Sequence, residues 1–310
     1  MDRQTIDTRL VYGFLDAGKT TYIQDCLFND YFYKRGKTLI LCFEEGEEEY
    51  DEEALSLKNA RVMFYDDSMD ITGFCSRAIE EYEPDRIYVE MNTMMEGLRE
   101  HLPDIMRVTY AVTWIDWTTL ELYFNNFKKM ISQMVMESNQ ITFRGCTSKE
   151  LLAPYSQAFR AMNHRASYLR QDPMGYHEKA FDIFLPFSLE QTDITITEKE
   201  YLPLWLDAAD YPEHYTGKTL SFKDPLELKH IEGKSFPSAG RIVMTCCMAD
   251  LQFMAFELME GIVKCPDSGW MTFEAQAYAG SDEYGRKVLK LSPTAFHPAP
   301  ALSDPILSVV

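Results

Sequence analysis

The sequence predicts an α/β protein, with a parallel sheet covered by helices on both faces, followed by a smaller, mostly-β domain that forms a barrel or a sandwich. Two observations lead to this prediction. Up to about residue 165, apolar β-branched stretches alternate with helical ones, the pattern of β-α-β units. Later, short extended stretches separated by Gly and Pro turns replace that pattern. We predict a nucleotide-binding domain over 1–171, a linker over 172–212 and a β-rich domain over 213–310.

The charge and the composition of the chain exclude some classes of function. The chain has 310 residues, a formal net charge of −19 and seven cysteines without a framework of spacings. A surface of this charge repels phosphate backbones, so nucleic acid is not expected as a partner, whereas a nucleotide site can still be built locally. No apolar run approaches the roughly 20 residues that span a bilayer, and the N-terminus shows no signal pattern. We therefore expect a cytoplasmic protein without membrane insertion, and its oligomeric state stays open.

The first predicted strand, over 8–12, leads directly into a glycine loop. Residues Gly13 to Thr20 fit the phosphate-binding pattern G-x-x-x-x-G-K-S/T. Backbone N–H groups must curl around phosphate oxygens, so glycines stand where a Cβ would block the approach. Lys19 would reach the β- and γ-phosphates, the Thr20 hydroxyl would bind Mg²⁺, and a helix predicted over 20–28 would add its positive end. The alternative is an ordinary glycine turn between a strand and a helix.

An acidic run over 44–53 follows the second predicted strand, over 35–43. Ligands of open α/β sheets bind at the carboxyl ends of the strands, which here lie beside the glycine loop. One carboxylate among Glu44, Glu45 and Glu47 could therefore help to hold Mg²⁺ or its waters. The alternative is a solvated acidic face, as most charge runs are.

Glu90 ends the fourth predicted strand, over 85–90, after a third strand over 60–65 and a helix that reaches residue 82. Many phosphate-loop sites also contain an apolar strand that ends in a carboxylate, and this carboxylate orients Mg²⁺ or the attacking water. We expect Glu90 to be a site residue. The alternative is a charge that merely ends a strand.

The remaining elements complete the pattern. In the first domain they are a fifth strand over 107–115, a helix over 118–137, a sixth strand over 139–143 and a helix over 148–163. The linker contains extended stretches over 180–186 and 193–196 and a short helix over 198–208. The last domain contains strands over 218–222, 241–246, 253–256, 270–275 and 286–291, and a loose tail over 298–310.

Three landmarks resemble the CobW/UreG/HypB family of P-loop GTPases: the loop over 13–21, the strand end Glu45-Gly46-Glu47 and the stretch 87–90. The family loop typically reads G-F-L-G-A-G-K-T-T, and this chain reads G-F-L-D-A-G-K-T-T. The resemblance covers about residues 8–165. It implies the P-loop NTPase fold, binding of GTP with Mg²⁺, GTP hydrolysis, and a role as a switch or chaperone in metal homeostasis or in metal insertion into a client metalloprotein.

The motif and the resemblance together define a predicted site. The nucleotide-binding residues are expected to be Gly13, Asp16, Ala17, Gly18, Lys19, Thr20, Thr21 and Arg144. The expected metal ligands are Thr20, Glu45 and Glu90, and the expected catalytic residues are Lys19 and Glu90.

Four positions depart from the family pattern. Asp16 replaces a glycine, and a carboxylate about 4 Å from a phosphate charge would be repelled by about 4 kcal/mol at an effective dielectric near 20, unless it points to solvent or holds a metal. The family's E-x-S-G has Asn92 and Thr93 here. Cys75 stands alone where the family has C-x-C-C, and one thiolate cannot make a tetrahedral metal site. The stretch 144–147 lacks the aspartate of the guanine-reading N-K-x-D.

These departures keep a second function open, a non-hydrolysing nucleotide-binding regulatory module whose β domain contacts a membrane permease or another protein. Residues 240–250 resemble part of the soluble domain of a bacterial protein found as a partner of predicted membrane permeases.

A third possibility is metal storage or delivery through Cys75, Cys246 or Cys247. Neighbouring strand residues point to opposite faces, so buried structural cysteines are the simpler reading of the Cys246-Cys247 pair. His164 and His177 lack a second pair of residues at metal-ligand spacing.

Overall fold

The computed structural model describes residues 5–29, 35–182, 184–231, 234–246, 250–259, 269–282 and 284–309. Packing divides the chain into two units, each built from two stretches of sequence. The first unit combines Met1–Ala153 with Arg165–Phe181. The second combines Pro154–His164 with Asp182–Val310.

The first unit is built on a sheet of eight described strands: β1 (Ile6–Tyr12), β2 (Thr38–Cys42), β3 (Ala60–Phe64), β4 (Arg86–Glu90), β5 (Met106–Asp116), β6 (Gln140–Arg144), β7 (Ser167–Gln171) and β8 (His177–Lys179). Their order is β3-β2-β4-β1-β5-β6-β7-β8. Strands β1 to β7 are parallel, and β8 runs antiparallel at the edge.

Helices connect these strands across both faces of the sheet. Among the described residues of this unit they are α1 (Lys19–Phe28), α2 (Glu52–Leu57), α3 (Ile71–Tyr82), α4 (Trp117–Asn126) and α5 (Lys128–Glu137). The chain first winds from β1 to β2 and β3, then returns past β1 to β5 and β6. Because parallel crossovers are right-handed, this reversal places the connecting helices on opposite faces. The predicted α/β class is confirmed.

Some local predictions for the sequence up to residue 180 are wrong. The helix predicted over 118–137 is two helices, since Phe127 has φ −128° and ψ 36°, outside the helical region. The helix predicted over 148–163 begins as a 3₁₀ segment, Lys149–Tyr155, which contains Pro154, and only then becomes α6 (Ser156–Met162), a helix of the second unit. Strands β7 and β8 were not predicted.

The strands of the second unit are β9 (Asp193–Thr195), β10 (Thr219–Ile231), β11 (Lys234–Met244), β12 (Leu251–Leu258), β13 (Gly269–Ser281), β14 (Lys287–Pro298) and β15 (Ile306–Ser308). Strands β10 to β14 form a closed barrel in the order β11-β12-β14-β13-β10, because β10 also pairs with β11. The mostly-β prediction is confirmed, and its barrel alternative is the one observed.

Aromatic residues fill the barrel core together with one helix. Phe222 on β10 and Phe273 on β13 are buried, with ring centroids 4.2 Å apart. The helix α7 (Tyr201–Asp210) contributes Tyr201 and Leu204 to the same core, so the short helix predicted over 198–208 is confirmed with shifted ends.

The loose tail predicted over 298–310 is wrong in part. Strand β15 pairs in parallel with β11 over residues 242–244, beyond the part of β11 that pairs with β10. Leu307 of β15 packs against the barrel core. Within the described residues, none of the helices is both long enough and apolar enough to span a membrane.

Candidate functional site

The glycine loop lies at the carboxyl end of β1, at the edge of the sheet where open α/β folds bind ligands. Strand β4 is next to β1 and β2 is next to β4, so their carboxyl ends bring two acidic segments to the loop. Glu90 is the last residue of β4, and residues 44–50 follow β2.

The loop backbone makes the turns that the motif requires. The N–H of Ala17 donates to the carbonyl of Phe14 at 3.2 Å, and Gly18 precedes α1 with a left-handed φ of 102°. A Cβ on Gly13 would stand 2.6 Å from the carbonyl oxygen of Trp114, so only glycine fits there. The loop therefore places its backbone amides next to the N-terminus of a ten-residue helix.

The ammonium of Lys19 is buried and fully hydrogen-bonded. Its Nζ donates to the carbonyl oxygens of Gly13 at 2.9 Å and Phe14 at 3.0 Å. It also pairs with Glu44 Oε2 at 2.5 Å, and the Lys19 side chain is only 2% exposed. An ammonium has three hydrogens, so these acceptors use all of them. A phosphate can bind Lys19 only by displacing one acceptor, and Glu44 is the one on a side chain that can rotate away.

Glu90 is 3% exposed and accepts hydrogen bonds from two hydroxyl groups. Thr20 Oγ1 donates to Oε1 at 2.9 Å, and the Tyr50 hydroxyl donates to Oε2. Burial raises the pKa of Glu90, while the Tyr50 and Thr20 hydrogen bonds and the charge of Lys19 lower it. The carboxyl group thus sits directly beside the hydroxyl that the motif assigns to Mg²⁺.

Tyr50 was missed by the sequence analysis. Its side chain is partly buried, and burial and the charge of Glu90 raise its pKa, which keeps the phenol protonated as a donor. An aromatic residue inside an otherwise acidic run was the available signal, because it indicates that the run folds back onto the core.

Asp16, the fourth residue of the glycine loop, has a backbone conformation that favours glycine. It has φ 58°, a left-handed conformation that Asp tolerates better than most residues. Its Oδ1 accepts a hydrogen bond of 2.9 Å from the backbone N–H of Glu47. A Cβ on Gly46 would stand 2.4 Å from that Oδ1. The Asp16 carboxylate is therefore used to hold the segment after β2.

The other predicted nucleotide-binding residues surround the same space. Arg144 lies against Gly18, and its Nη1 is 3.4 Å from the carbonyl oxygen of Asp16. The side chain of Ala17 packs into the core, so its contribution to the loop is its backbone. A cavity of about 180 Å³ opens here, and its lining includes Asp16, Gly18, Lys19, Thr20, Thr21, Glu90 and Arg144.

A second cavity, of about 260 Å³, lies beside the first and is strongly acidic. Its lining includes Thr20, Cys42, Tyr50, Glu44, Glu45, Glu48, Glu49 and Glu52. Glu45, the predicted metal ligand, is exposed in this lining, whereas Glu44 is the carboxylate that contacts the loop. The carboxylates that contact a side chain of the loop are thus Glu44, with Lys19, and Glu90, with Thr20.

The donor set fits Mg²⁺ in the form that phosphate loops use. Such a site needs one hydroxyl, the phosphate oxygens of the nucleotide, waters and a carboxylate that orients them. Thr20 and Glu90 supply the hydroxyl and the carboxylate. No group of three or more His, Cys, Asp or Glu side chains in the described part of the chain is arranged to hold a metal ion by itself.

The cysteine and histidine candidates have structural surroundings. Cys75 is fully buried in α3, and burial raises its pKa to about 12, which keeps the thiol protonated. Cys246 is half-buried, and Cys247 lies outside the described residues. His164 packs edge-on against Trp205 at 4.9 Å between ring centroids, and His177 is hydrogen-bonded to Gln171.

Comparison with known proteins gives a match to one family model and likenesses to solved structures, two of which are described here. Residues 176–294 match the family model of the DUF1980 C-terminal domain. The search of curated proteins finds no match. The chain is similar to the hydrogenase maturation factor HypB from Archaeoglobus fulgidus, with 12% identity and a TM-score of 0.37, over 55% of this chain and 83% of that one. It is also similar to a Zn(II)-bound triple mutant of the YjiA GTPase, with 13% identity and a TM-score of 0.41, over 87% of this chain and 94% of that one.

Proposed function

We propose that this protein binds GTP with Mg²⁺, hydrolyses it, and acts in the cytoplasm as a switch or chaperone in metal homeostasis or in metal insertion into a client protein. The observation that supports this best is the glycine loop with Lys19 turned back over it and Thr20 hydrogen-bonded to Glu90. The metal-related role rests on the resemblance of the loop to the CobW/UreG/HypB family.

Each residue has a role in this proposal. The loop amides and Lys19 bind the phosphates, and Arg144 adds a second positive charge to the lining of the same cavity. Thr20 and Glu90 would hold Mg²⁺ or its waters, and Mg²⁺ when bound neutralises charge on the phosphate oxygens. Glu90, positioned by Tyr50, also orients the attacking water.

Phosphate release from GTP tests the proposal. The wild type should turn over in Mg²⁺, and Lys19→Ala should lose about 10²-fold or more, because the charge that stabilises the transferring phosphoryl group is removed. Lys129→Ala, which removes an exposed lysine from α5, is the matched control and should keep the wild-type rate. Equal rates of phosphate release by the wild type and Lys19→Ala would contradict the proposal.

A non-hydrolysing nucleotide-binding module is the second candidate. It is favoured by the pairing of Lys19 with Glu44 and by the absence of an aspartate in Arg144-Gly145-Cys146-Thr147. In this candidate the barrel contacts a membrane permease or another protein. Calorimetry with GTP, ATP and their diphosphates in Mg²⁺ decides between the two: tight binding without turnover selects the module, and robust turnover removes it.

A further inference from the structure

A third cavity, of about 430 Å³, lies in the barrel unit, where the segment before α7 meets β10 and β11. Its lining consists of Ile196, Thr197, Glu198, Lys199, Lys223 and Arg241. None of these residues belongs to the nucleotide site. A ligand bound in this cavity is therefore separate from the nucleotide of the proposed function.

Arg241 is the buried member of this lining. Its side chain is 2% exposed. Nε donates to Asp224 Oδ1 at 2.6 Å, and Nη2 donates to the carbonyl oxygen of Lys223 at 2.8 Å. Nη1 is buried without a hydrogen-bond partner among the described residues. Nη1 is also closed to solvent, so a ligand oxygen reaches it only when the lining shifts; because a buried N–H group without an acceptor is unfavourable, a ligand oxygen that does so is stabilised.

Two aromatic rings hold the guanidinium in place. Its Cζ lies 5.3 Å from the ring centroid of Tyr201 and 5.7 Å from that of Trp270. Cation–π contacts on both rings and the bond to Asp224 restrict the side chain before any ligand arrives. A donor that is already fixed loses little conformational freedom on binding, which favours affinity.

Two lysines add positive charge to the lining. Lys199 is exposed and Lys223 is half-buried, and within the described residues neither forms an ion pair. Glu198 is the acidic residue of the lining, and Asp224 lies behind the guanidinium, outside the lining. Counting Asp224, which pairs with the guanidinium, three cations face two carboxylates around this cavity, and α7 begins just beyond it with the positive end of its dipole.

This cluster stands out in a chain of net charge −19. At physiological salt the Debye length is about 8 Å, so the nearest charges decide what binds, rather than the total charge of the molecule. Three cationic donors from three elements match the three terminal oxygens of a phosphate group better than the two oxygens of a carboxylate. We propose that this cavity binds the phosphate group of a small molecule.

Calorimetric titration of the full-length protein tests the proposal. The protein carries Lys19→Ala, so that the phosphate-binding lysine of the glycine loop is absent, and the probes are inorganic phosphate and glycerol 3-phosphate. Removing Lys199 and Lys223 together, as Lys199→Ala/Lys223→Ala, should weaken binding by about tenfold or more, since two charge-assisted hydrogen bonds are lost. Lys287→Ala, an exposed lysine of β14, is the matched control and should leave the affinity unchanged.

The two probes separate the sources of the phosphate group. Tighter binding of the ester supports a phosphorylated small molecule, and tighter binding of inorganic phosphate supports the free ion. Absence of saturable binding of either probe overturns the proposal, as does a loss in the Lys287→Ala protein equal to that in the double variant. Phosphate release by the protein with Lys19 intact is a separate measurement, so failure here leaves the proposed function standing.

Discussion

At the scale of single residues, the lysine of the glycine loop is paired with a carboxylate, although the motif predicts that this lysine binds a phosphate. Glu44 pairs with Lys19 at 2.5 Å, and both side chains are largely buried, at 12% and 2% exposure. Solvent screens such a pair less than a surface pair. The contact therefore competes with a nucleotide for the same ammonium, and it keeps Lys19 in place when no nucleotide is bound.

Glu44→Gln should bind GTP about tenfold more tightly than the wild type, because the competing charge is gone while the side chain keeps its size. Calorimetry measures the change directly. Glu48→Gln removes the same charge from the same segment without touching Lys19 and should have a smaller effect. Weaker binding by Glu44→Gln would contradict the competition and would instead indicate that Glu44 helps to hold Mg²⁺.

Because Glu90 is buried, it makes the stability of the folded protein depend on pH, and burial determines the sign of that dependence. Burial raises its pKa in the folded state above the ordinary 4.5, so the folded protein keeps a proton that the unfolded chain has lost. The stability contributed by this group is therefore present at low pH and falls as pH rises from about 4.5 through the folded pKa.

Glu90→Gln removes this loss, so it should raise the midpoint of thermal unfolding relative to the wild type more at about pH 8 than at about pH 5. Scanning calorimetry of both proteins at the two pH values measures the difference. Glu81→Gln, on the exposed side of α3, should show no such trend. An equal shift at both pH values would mean that the Glu90 carboxyl is not under strain from burial.

At the scale of elements, the segment after β2 is attached to the glycine loop at two points and to the end of β4 at a third. Glu44 contacts Lys19, the N–H of Glu47 donates to Asp16, and Tyr50 donates to Glu90. Between the first two contacts, Gly46 gives Asp16 the space it needs. The acidic segment is thus a structured neighbour of the nucleotide site.

Gly46→Ala should destabilise this segment, because its Cβ would stand 2.4 Å from Asp16 Oδ1. Faster limited proteolysis within residues 44–50 and weaker GTP binding are expected. Asp16→Gly should cost about 1.5 kcal/mol, the low end for a hydrogen bond to a charged group, because the carboxylate is exposed. Because the clash needs Asp16, the double variant should be no worse than Asp16→Gly alone; additive losses in thermal stability would contradict this coupling.

The sequence could predict those elements whose structure is determined by residues close together in the chain. The glycine loop, strands β1 to β6 of the parallel sheet and the five barrel strands each show a pattern within a few residues. Strands β7 and β8 lack such a pattern: β7 ends in Arg170-Gln171, and β8 is exposed over all three residues. Their pairing with β6 and with each other comes from the sheet already formed.

The contacts within the site were harder to predict than the elements that position them. The choice of Glu44 over Glu45 depends on which side chain points toward Lys19 as the chain leaves β2. Tyr50 reaches Glu90 across 40 positions of sequence, and Arg241 reaches Asp224 across 17. No periodicity encodes such distances, because they are set by how strands and loops are packed.

At the scale of the whole molecule, the two units interleave in sequence. Helix α6 belongs to the barrel unit although β7 and β8 of the first unit follow it in the chain. Ala161 of α6 is fully buried against Leu202, Leu206, Val243 and Met254. Arg160 pairs with Asp210, and the carbonyl of Met162 accepts from Gln252 at 3.2 Å. The domain limits predicted at residues 171 and 212 stay a prediction, and they would separate α6 from these contacts.

A fragment of residues 154–310 should therefore be more stable than one of residues 172–310. Burying one apolar side chain stabilises by about 1.5–3 kcal/mol, and the shorter fragment uncovers several, so its thermal midpoint should be lower by at least about 5 °C. Tryptophan fluorescence follows unfolding, since both fragments contain Trp205, which lies beside this cluster, and Trp270. In the full chain, Ala161→Glu should destabilise the barrel unit, while Gln157→Glu, exposed on the same helix, should not. If both fragments unfold at the same temperature, α6 contributes nothing to the barrel, and the predicted limit at residue 171 describes the chain better.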